Sequence, residues 1–297
     1  MKENRKVLNI GLAIIGGLGV VGLIIGTFLD QQITSVMANY ESVFGILFTM
    51  LTPVLSLAIG EVAGAILFFM PKRENKTADI LLRILGAVAF VAFSGFAVKE
   101  GIEYVKFPIM EMHKTTYMVL AITLVGLLDL AIILFVKIAM KYIDDKRIVP
   151  TVITIFVIIA AWLLVSEVIK YLACRPRPRN IYLENIATFR NWYQFQPFFC
   201  FKEGMKDCKS FVSGHAFIAT CTVGALPLLL SLNKKGSGVK ATIIGMCVAG
   251  VFTFVVAFSR IVAYAHFMSD VMGGIAASCA AQAVVLNVAP KIYFKNK

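Results

Sequence analysis

The stretch VLNIGLAIIGGLGVVGLIIGTF, residues 7–28, carries no charged residue. A transmembrane helix needs about 20 mainly apolar residues to cross a bilayer, so this stretch predicts one. The basic segment MKENRK precedes it, as in a signal peptide, but the apolar stretch is longer than a signal core and no A-x-A cleavage site follows closely. We therefore interpret residues 7–28 as an uncleaved membrane anchor.

Further apolar runs follow this anchor, at 46–70, 80–98, 116–137, 149–170, 215–232, 241–264 and 269–290. In the whole chain, 59% of the residues are hydrophobic and 15% are charged, whereas soluble domains are about 45–50% apolar and about 25% charged. Such a chain has too little polar surface to cover a soluble globule. The sequence therefore predicts an all-α, polytopic transmembrane helical bundle with about eight spans, or about six if the runs are over-counted.

The basic residues of the loops predict the orientation of the chain. Three lysine or arginine residues lie in each of the segments 2–6, 72–76, 141–147, 234–240 and 291–297, which alternate with the other loops. Because short basic loops tend to stay in the cytoplasm, both termini are predicted to be cytoplasmic. This bias also accounts for most of the net charge of +12, so we expect no nucleic acid partner.

The loop after the fifth run breaks this pattern, because it lies on the predicted outer side and is nevertheless basic. Its basic residues are Lys170, Arg175, Arg177, Arg179, Arg190, Lys202, Lys206 and Lys209. A basic cluster on the outer side needs another reason to exist, and the binding of an anion is the most direct one.

Three short segments at the outer ends of runs carry side chains suited to a phosphate. They are KYLACRPRP at 170–178, VSGH at 212–215 and SRIVAYAHFMSD at 259–270. Lys170, Arg177 and Arg260 supply cations, and arginine can bind phosphate through two hydrogen bonds. Ser213 and Gly214 open a helix, whose first N–H groups form a ready anion site.

The same segments contain two of the three histidines of the chain; the third, His113, has no motif around it. His266 and Asp270 are four residues apart, which on a helix puts both on one face. A carboxylate that holds one ring nitrogen leaves the other free to attack. His215 is a second imidazole, suited to protonate a leaving oxygen.

Together the segments resemble the signature of the type 2 phosphatidic acid phosphatase superfamily, which reads K-x6-R-P, P-S-G-H and S-R-x5-H-x3-D. The order and the internal spacings agree, and the motif-bearing part covers about half of the chain, from about 150 to 290. Two features depart from the family: Val212 replaces the proline, and five runs rather than three precede the first motif. We divide the chain into N-terminal transmembrane helices at 1–78 and a phosphatase core at 79–297.

The resemblance also implies the roles of the residues. His266 is the nucleophile that forms a phosphohistidine, Asp270 is its partner and His215 is the acid–base. The phosphate ligands are Lys170, Arg177, Ser213, Gly214 and Arg260. No metal or other cofactor is implied.

We therefore expect a lipid-phosphate phosphatase, because a site at the ends of spans can reach the head group of a lipid whose tails remain in the bilayer. Phosphatidic acid, phosphatidylglycerol phosphate and polyprenyl diphosphates such as undecaprenyl diphosphate are the candidate substrates. The predicted orientation places the site on the extracytoplasmic face, which favours a polyprenyl diphosphate in a bacterial membrane.

Two other functions fit the same residues. A lipid phosphotransferase would pass the phosphate of the same histidine to an acceptor, and a lipid transporter would use the basic loop only to bind head groups. Each motif alone is weak, since basic residues at span ends usually anchor the helix and a serine before a helix usually caps it. The prediction rests on the three motifs together.

The loop between the first two motifs supports two further predictions. Two of the three residues Cys174, Cys200 and Cys208 can pair if the loop faces an oxidising space. The aromatic residues of 179–212 form either an interfacial belt or a lid that admits the lipid.

Overall fold

A computed structural model describes residues 2–103, 114–195, 208–234 and 239–293. These residues are almost entirely helical. The helices are α1 (Lys2–Met37), α2 (Val43–Phe69), α3 (Lys76–Glu103), α4 (Lys114–Ala139), α5 (Asp145–Ala161), α6 (Glu167–Ala173), α7 (Pro178–Tyr182), α8 (Gly214–Leu230), α9 (Val239–Val262) and α10 (Met268–Tyr293). A π-helical turn, Trp162–Ser166, joins α5 to α6 without a break.

Each predicted apolar run corresponds to one of these helices or, for 149–170, to the continuous segment from α5 to α6, which confirms the all-α transmembrane bundle. In the described part of the chain, seven helical segments are long and apolar enough to cross a membrane. The run predicted at 215–232 corresponds to α8, which is also apolar but has only 17 residues. Most of α8 is buried by its neighbours, so this short helix lies at the centre of the bundle.

Helix α1 runs antiparallel to α10. Near the start of α1, Arg5 Nη2 donates to Asn287 Oδ1 at 2.9 Å, and near its end Asp30 Oδ1 accepts from the Ser269 N–H at 2.9 Å. The start of α1 and the C-terminal part of α10 therefore lie at the same end of the bundle. The cytoplasmic location of that end remains a prediction.

The two N-terminal helices pack directly on the helices that carry the motifs. Helix α1 contacts α10 and α9, and α2 contacts α8 and α9 in addition to α3. The division of the chain near residue 78 remains a prediction, but the helices that precede it belong to the same bundle and reach the motif end of it.

Candidate active site

Lys170 of the first motif lies next to Gly214 of the second motif. Its Nζ atom lies 3.0 Å from the position that a Cβ atom on Gly214 would occupy. A side chain at residue 214 would press on the lysine ammonium group, so glycine leaves room for Lys170 at this point. Lys170 is held by Glu167, one turn earlier on α6, whose Oε1 atom accepts from Nζ at 2.6 Å.

Arg177 follows a sharp change of chain direction after α6. Cys174 ends that helix in the left-handed conformation, with φ of 43°, and Pro178 occupies the first position of α7, where its missing N–H costs nothing. The Arg177 Nε atom is buried and has no hydrogen-bond partner within the described residues. Arg177 also lies close enough to Lys170 and His266 to interact with them electrostatically.

The second motif forms the start of α8. Ser213 is the N-cap, and its Oγ atom accepts from the Ala216 N–H at 3.4 Å. The Ser213 N–H donates to the carbonyl oxygen of Asp270 at 3.0 Å, and the expectation that Ser213 binds phosphate stays a prediction. Gly214 is the first helical residue, and the N–H groups of a first turn have no acceptor within their own helix.

His215 and Arg260 are both held by Thr49 of α2. His215 Nε2 donates to the Thr49 carbonyl oxygen at 3.2 Å, because a carbonyl can only accept. Arg260 Nη1 donates to the hydroxyl of the same residue. His215 is also within electrostatic reach of Arg260, His266 and Arg177. Sequence reasoning missed Thr49, which lies within an apolar run and outside every motif.

His266 does not lie on a helix, contrary to the expectation from its spacing to Asp270. Helix α9 ends at Val262 and α10 begins at Met268, so His266 lies in the connection between them. Its Nδ1 atom is 3.8 Å from Asp270 Oδ2, which is an ion-pair distance and longer than a hydrogen bond.

Ser210 lies between these two groups. Its hydroxyl donates to Asp270 Oδ2 at 2.5 Å and lies 3.5 Å from His266 Nδ1. Asp270 Oδ2 also accepts from the Phe267 N–H at 2.8 Å. The carboxylate therefore fixes the backbone and the serine beside His266, and its negative charge faces the Nδ1 side of the ring.

Burial lowers the pKa of His266 to about 3. The guanidinium groups of Arg177 and Arg260 act in the same direction, whereas the Asp270 carboxylate opposes them. The imidazole is thus neutral at neutral pH, and a neutral imidazole has a lone pair with which to attack. Because Nδ1 faces Asp270, the attacking atom would be Nε2.

We compared the region that carries the three motifs with models of known protein families. Residues 151–294 match the PAP2 superfamily. This part of the chain is therefore similar to that family. The match includes all three motifs, so the predicted resemblance is confirmed. No curated protein and no solved structure shows significant similarity to the chain.

Behind the motifs of the PAP2 region lies a buried ionic network that the sequence did not predict. Arg175, inside the first motif, donates to Asp270 Oδ1 at 2.6 Å and to Asp30 Oδ2 at 2.8 Å. Its side chain is 1% exposed. Arg175 was predicted only as one of the basic residues of the loop, and Asp30, at the end of the first apolar run, was not singled out.

Part of the aromatic loop packs within the PAP2 region and against α1. Phe189 contacts Phe267 edge-to-face with ring centroids 5.3 Å apart, and Trp192 stacks on Phe211 at 5.3 Å. Trp192 Nε1 also donates to the Thr27 hydroxyl at 2.8 Å. Phe189 also lies beside the ionic network, with its ring centroid 5.4 Å from the Arg175 guanidinium. Phe198, Phe199 and Phe201, on which the predictions of a belt or a lid also depend, lie outside the described residues.

Cys174 is a free, buried thiol. The pairing predicted among three cysteines is therefore restricted to Cys200 and Cys208, and Cys200 lies outside the described residues, as does His113.

Proposed function

We propose that this protein is an integral membrane phosphatase that hydrolyses a phosphomonoester or diphosphate of a lipid. The family match supports phosphatase-type activity on lipid-like phosphates. The observation that carries the finer proposal is the neutral, buried His266, which lies close to Arg177 and Arg260. The buried Arg177 Nε atom has no hydrogen-bond partner within the described residues, and a phosphate would supply an acceptor for it.

In the first step, His266 Nε2 attacks phosphorus and forms an N–P bond while the P–O bond to the lipid breaks. The electron pair of that bond remains on the lipid oxygen, which takes a proton from His215; for this His215 must enter the step as the doubly protonated imidazolium. Since Nε2 of His215 donates to the Thr49 carbonyl, the transferred proton would come from Nδ1. The Thr49 carbonyl thus selects the tautomer that remains after the transfer.

In the second step, His215 Nδ1 takes a proton from water, and the resulting hydroxide oxygen attacks the phosphohistidine. The N–P bond breaks, its electron pair returns to His266, and inorganic phosphate leaves. Lys170, Arg177, Arg260 and the Gly214 N–H would stabilise the charge on the equatorial oxygens in both steps. Fixed groups of this kind commonly supply the largest part of catalysis. The Ser213 N–H already donates to the Asp270 carbonyl oxygen. The group of Ser213 that would bind the phosphate is therefore its hydroxyl.

The substrate class follows from the position of the site at the ends of membrane-length helices. A lipid can keep its tails in the bilayer there while its phosphate enters between α6, α8 and α10. Phosphatidic acid, phosphatidylglycerol phosphate and a polyprenyl diphosphate all meet this requirement. The loop charges support an extracytoplasmic site in a bacterial membrane, which favours the polyprenyl diphosphate.

Phosphate release by the detergent-purified protein tests this proposal. Each of the three lipids is offered in the presence of a chelator, to wild type and to His266→Ala, which removes the nucleophile. We expect release from at least one lipid by wild type and none by the variant. Release of equal size by both proteins would contradict the role of His266, and transfer of phosphate to an added acceptor lipid would instead identify a phosphotransferase.

A further inference from the structure

Asp30 joins the first helix of the chain to the PAP2 region. It lies on α1, outside the matched residues 151–294, and it is 2% exposed. Its Oδ2 atom pairs with Arg175 Nη2 at 2.8 Å. Its Oδ1 atom accepts from the Ser269 N–H at 2.9 Å, and the Ser269 hydroxyl donates to Oδ2 as well. A residue from α1 therefore caps the first turn of α10, which carries Asp270.

The close approach of α1 to α10 is built into the sequence one turn before Asp30. A Cβ atom on Gly26 would lie 2.5 Å from the Ser269 backbone nitrogen. Only glycine allows the two backbones to come this near. Gly26 and Asp30 are four residues apart and thus share one face of α1, so this face is adapted to the start of α10.

Arg175 is committed to the network and is not available to a phosphate. Nη1 donates to Asp270 Oδ1 and to the Ser269 hydroxyl, at 2.6 and 2.7 Å, and Nε donates to the Arg190 carbonyl at 2.8 Å. The guanidinium also lies 4.3 Å from the centroid of the Phe267 ring. These contacts fix its position on every side.

The net charge of Asp30, Arg175 and Asp270 gives a reason for the second carboxylate, that of Asp30. Arg175 with Asp270 alone would form a neutral pair, and His266 would face little net negative charge. With Asp30 included, one guanidinium is shared between two carboxylates, so the buried group keeps a net negative charge beside His266. That charge stabilises the cationic imidazole ring that forms when His266 takes the phosphoryl group.

We propose that Asp30 is a positioning residue of the active site, which holds Arg175 and the start of α10 and keeps Asp270 negatively charged toward His266. This inference rests on the proposed phosphohistidine chemistry. It also gives α1, which the family match does not include, an indirect part in that chemistry, through Arg175 and Asp270.

The test compares Asp30→Asn with Asp79→Asn. An asparagine in place of Asp30 keeps the size of the side chain and an oxygen for the Ser269 N–H but loses the charge. Asp79 is a matched control, since it too pairs with an arginine, Arg83 at 2.9 Å, but on α3 and away from the site. For Asp30→Asn we expect kcat to fall about 10- to 100-fold with KM changed less than about threefold. Asp79→Asn should retain the wild-type kcat.

A second readout needs no turnover and thus separates this inference from the proposed function. In protein labelled with ¹⁵N-histidine, the His266 resonances should shift in Asp30→Asn and stay in place in Asp79→Asn. If Asp30→Asn does not fold, Asp30→Glu replaces it, because the longer side chain moves the carboxylate and should lower kcat several-fold. An unchanged kcat together with unchanged His266 resonances would overturn the proposal, whereas absence of phosphate release by wild type would contradict only the proposed function.

Discussion

The carbonyl oxygen of Thr49 accepts a hydrogen bond from Nε2 of His215 at 3.2 Å, and the hydroxyl of the same threonine accepts one from Arg260. One residue of α2 therefore holds two groups of the site, one through its backbone and one through its side chain. The two contacts can be separated experimentally, because a substitution at residue 49 removes the hydroxyl and leaves the carbonyl.

Thr49→Val is expected to lower kcat/KM about 10- to 150-fold, since a hydrogen bond to a charged group contributes about 1.5–3 kcal/mol. The loss should fall on Arg260 and therefore on the binding of phosphate. Thr49→Ser keeps the hydroxyl and is the matched control, with activity near that of wild type. Steady-state kinetics measure both variants, and equal activity of valine and serine at this position would contradict the role of the hydroxyl.

His266 should remain neutral well below the usual range of a histidine. Its pKa is lowered from 6.5 to about 3, so protonation, which would remove the nucleophilic lone pair, occurs only in strongly acidic solution. The ¹⁵N shifts of His266, assigned with His266→Gln, should thus stay constant between about pH 8 and about pH 5. A titration centred near the ordinary histidine value would show that the imidazole is not desolvated as described.

Removal of Arg175 should destabilise the protein more when residue 30 is the charged aspartate than when it is a neutral asparagine. Arg175→Met leaves Asp30 and Asp270 buried without their shared cation, and breaking a buried ion pair in this way costs about 3–5 kcal/mol. Adding Asp30→Asn removes one of the stranded charges and should restore part of the lost thermal stability. If the double variant unfolds at a lower temperature than Arg175→Met, the charge balance argued for the network is wrong.

Glu61 and Asp129 provide a prediction far from the site. Glu61 is fully buried on α2, and neither of its carboxyl oxygens has a hydrogen-bond partner within the described residues. Asp129 of α4 is close enough to interact with it and accepts from the Ser94 hydroxyl at 2.7 Å.

Glu61→Gln supplies an N–H donor to Asp129 and should stabilise the protein by about 1 kcal/mol without changing kcat. Thermal unfolding in detergent measures this effect, and Glu61→Ala, which supplies no donor, is the control. A glutamine variant less stable than wild type would contradict this expectation.

The sequence predicted the helices well, for a physical reason. Membrane-length apolar runs identify helices by length alone, and the motifs lie at the run ends, so Lys170 and His215 could be placed at one end of the bundle. The helical spacing of His266 and Asp270 was misleading, because the chain turns between α9 and α10 and the two side chains meet across that turn.

The supporting residues could not be predicted in the same way. Asp30 lies 145 residues from Arg175 in the chain, and Thr49 lies 166 residues from His215. Contacts between residues so far apart in the chain produce no recognisable spacing pattern within one segment of the sequence. The partners of a single polar residue in or beside an apolar run can be identified only when the packing of α1 on α10 and of α2 on α8 is known.

The most direct test of the central claim is a search for the covalent intermediate. Wild-type protein is mixed with a ³²P-labelled lipid phosphate, quenched within milliseconds in alkaline detergent and digested for peptide mapping. We predict label on the peptide that contains His266, stable in base and lost in acid, and no label in His266→Ala. Rapid release of phosphate by wild type with no label on His266 at any quench time would contradict the phosphohistidine mechanism.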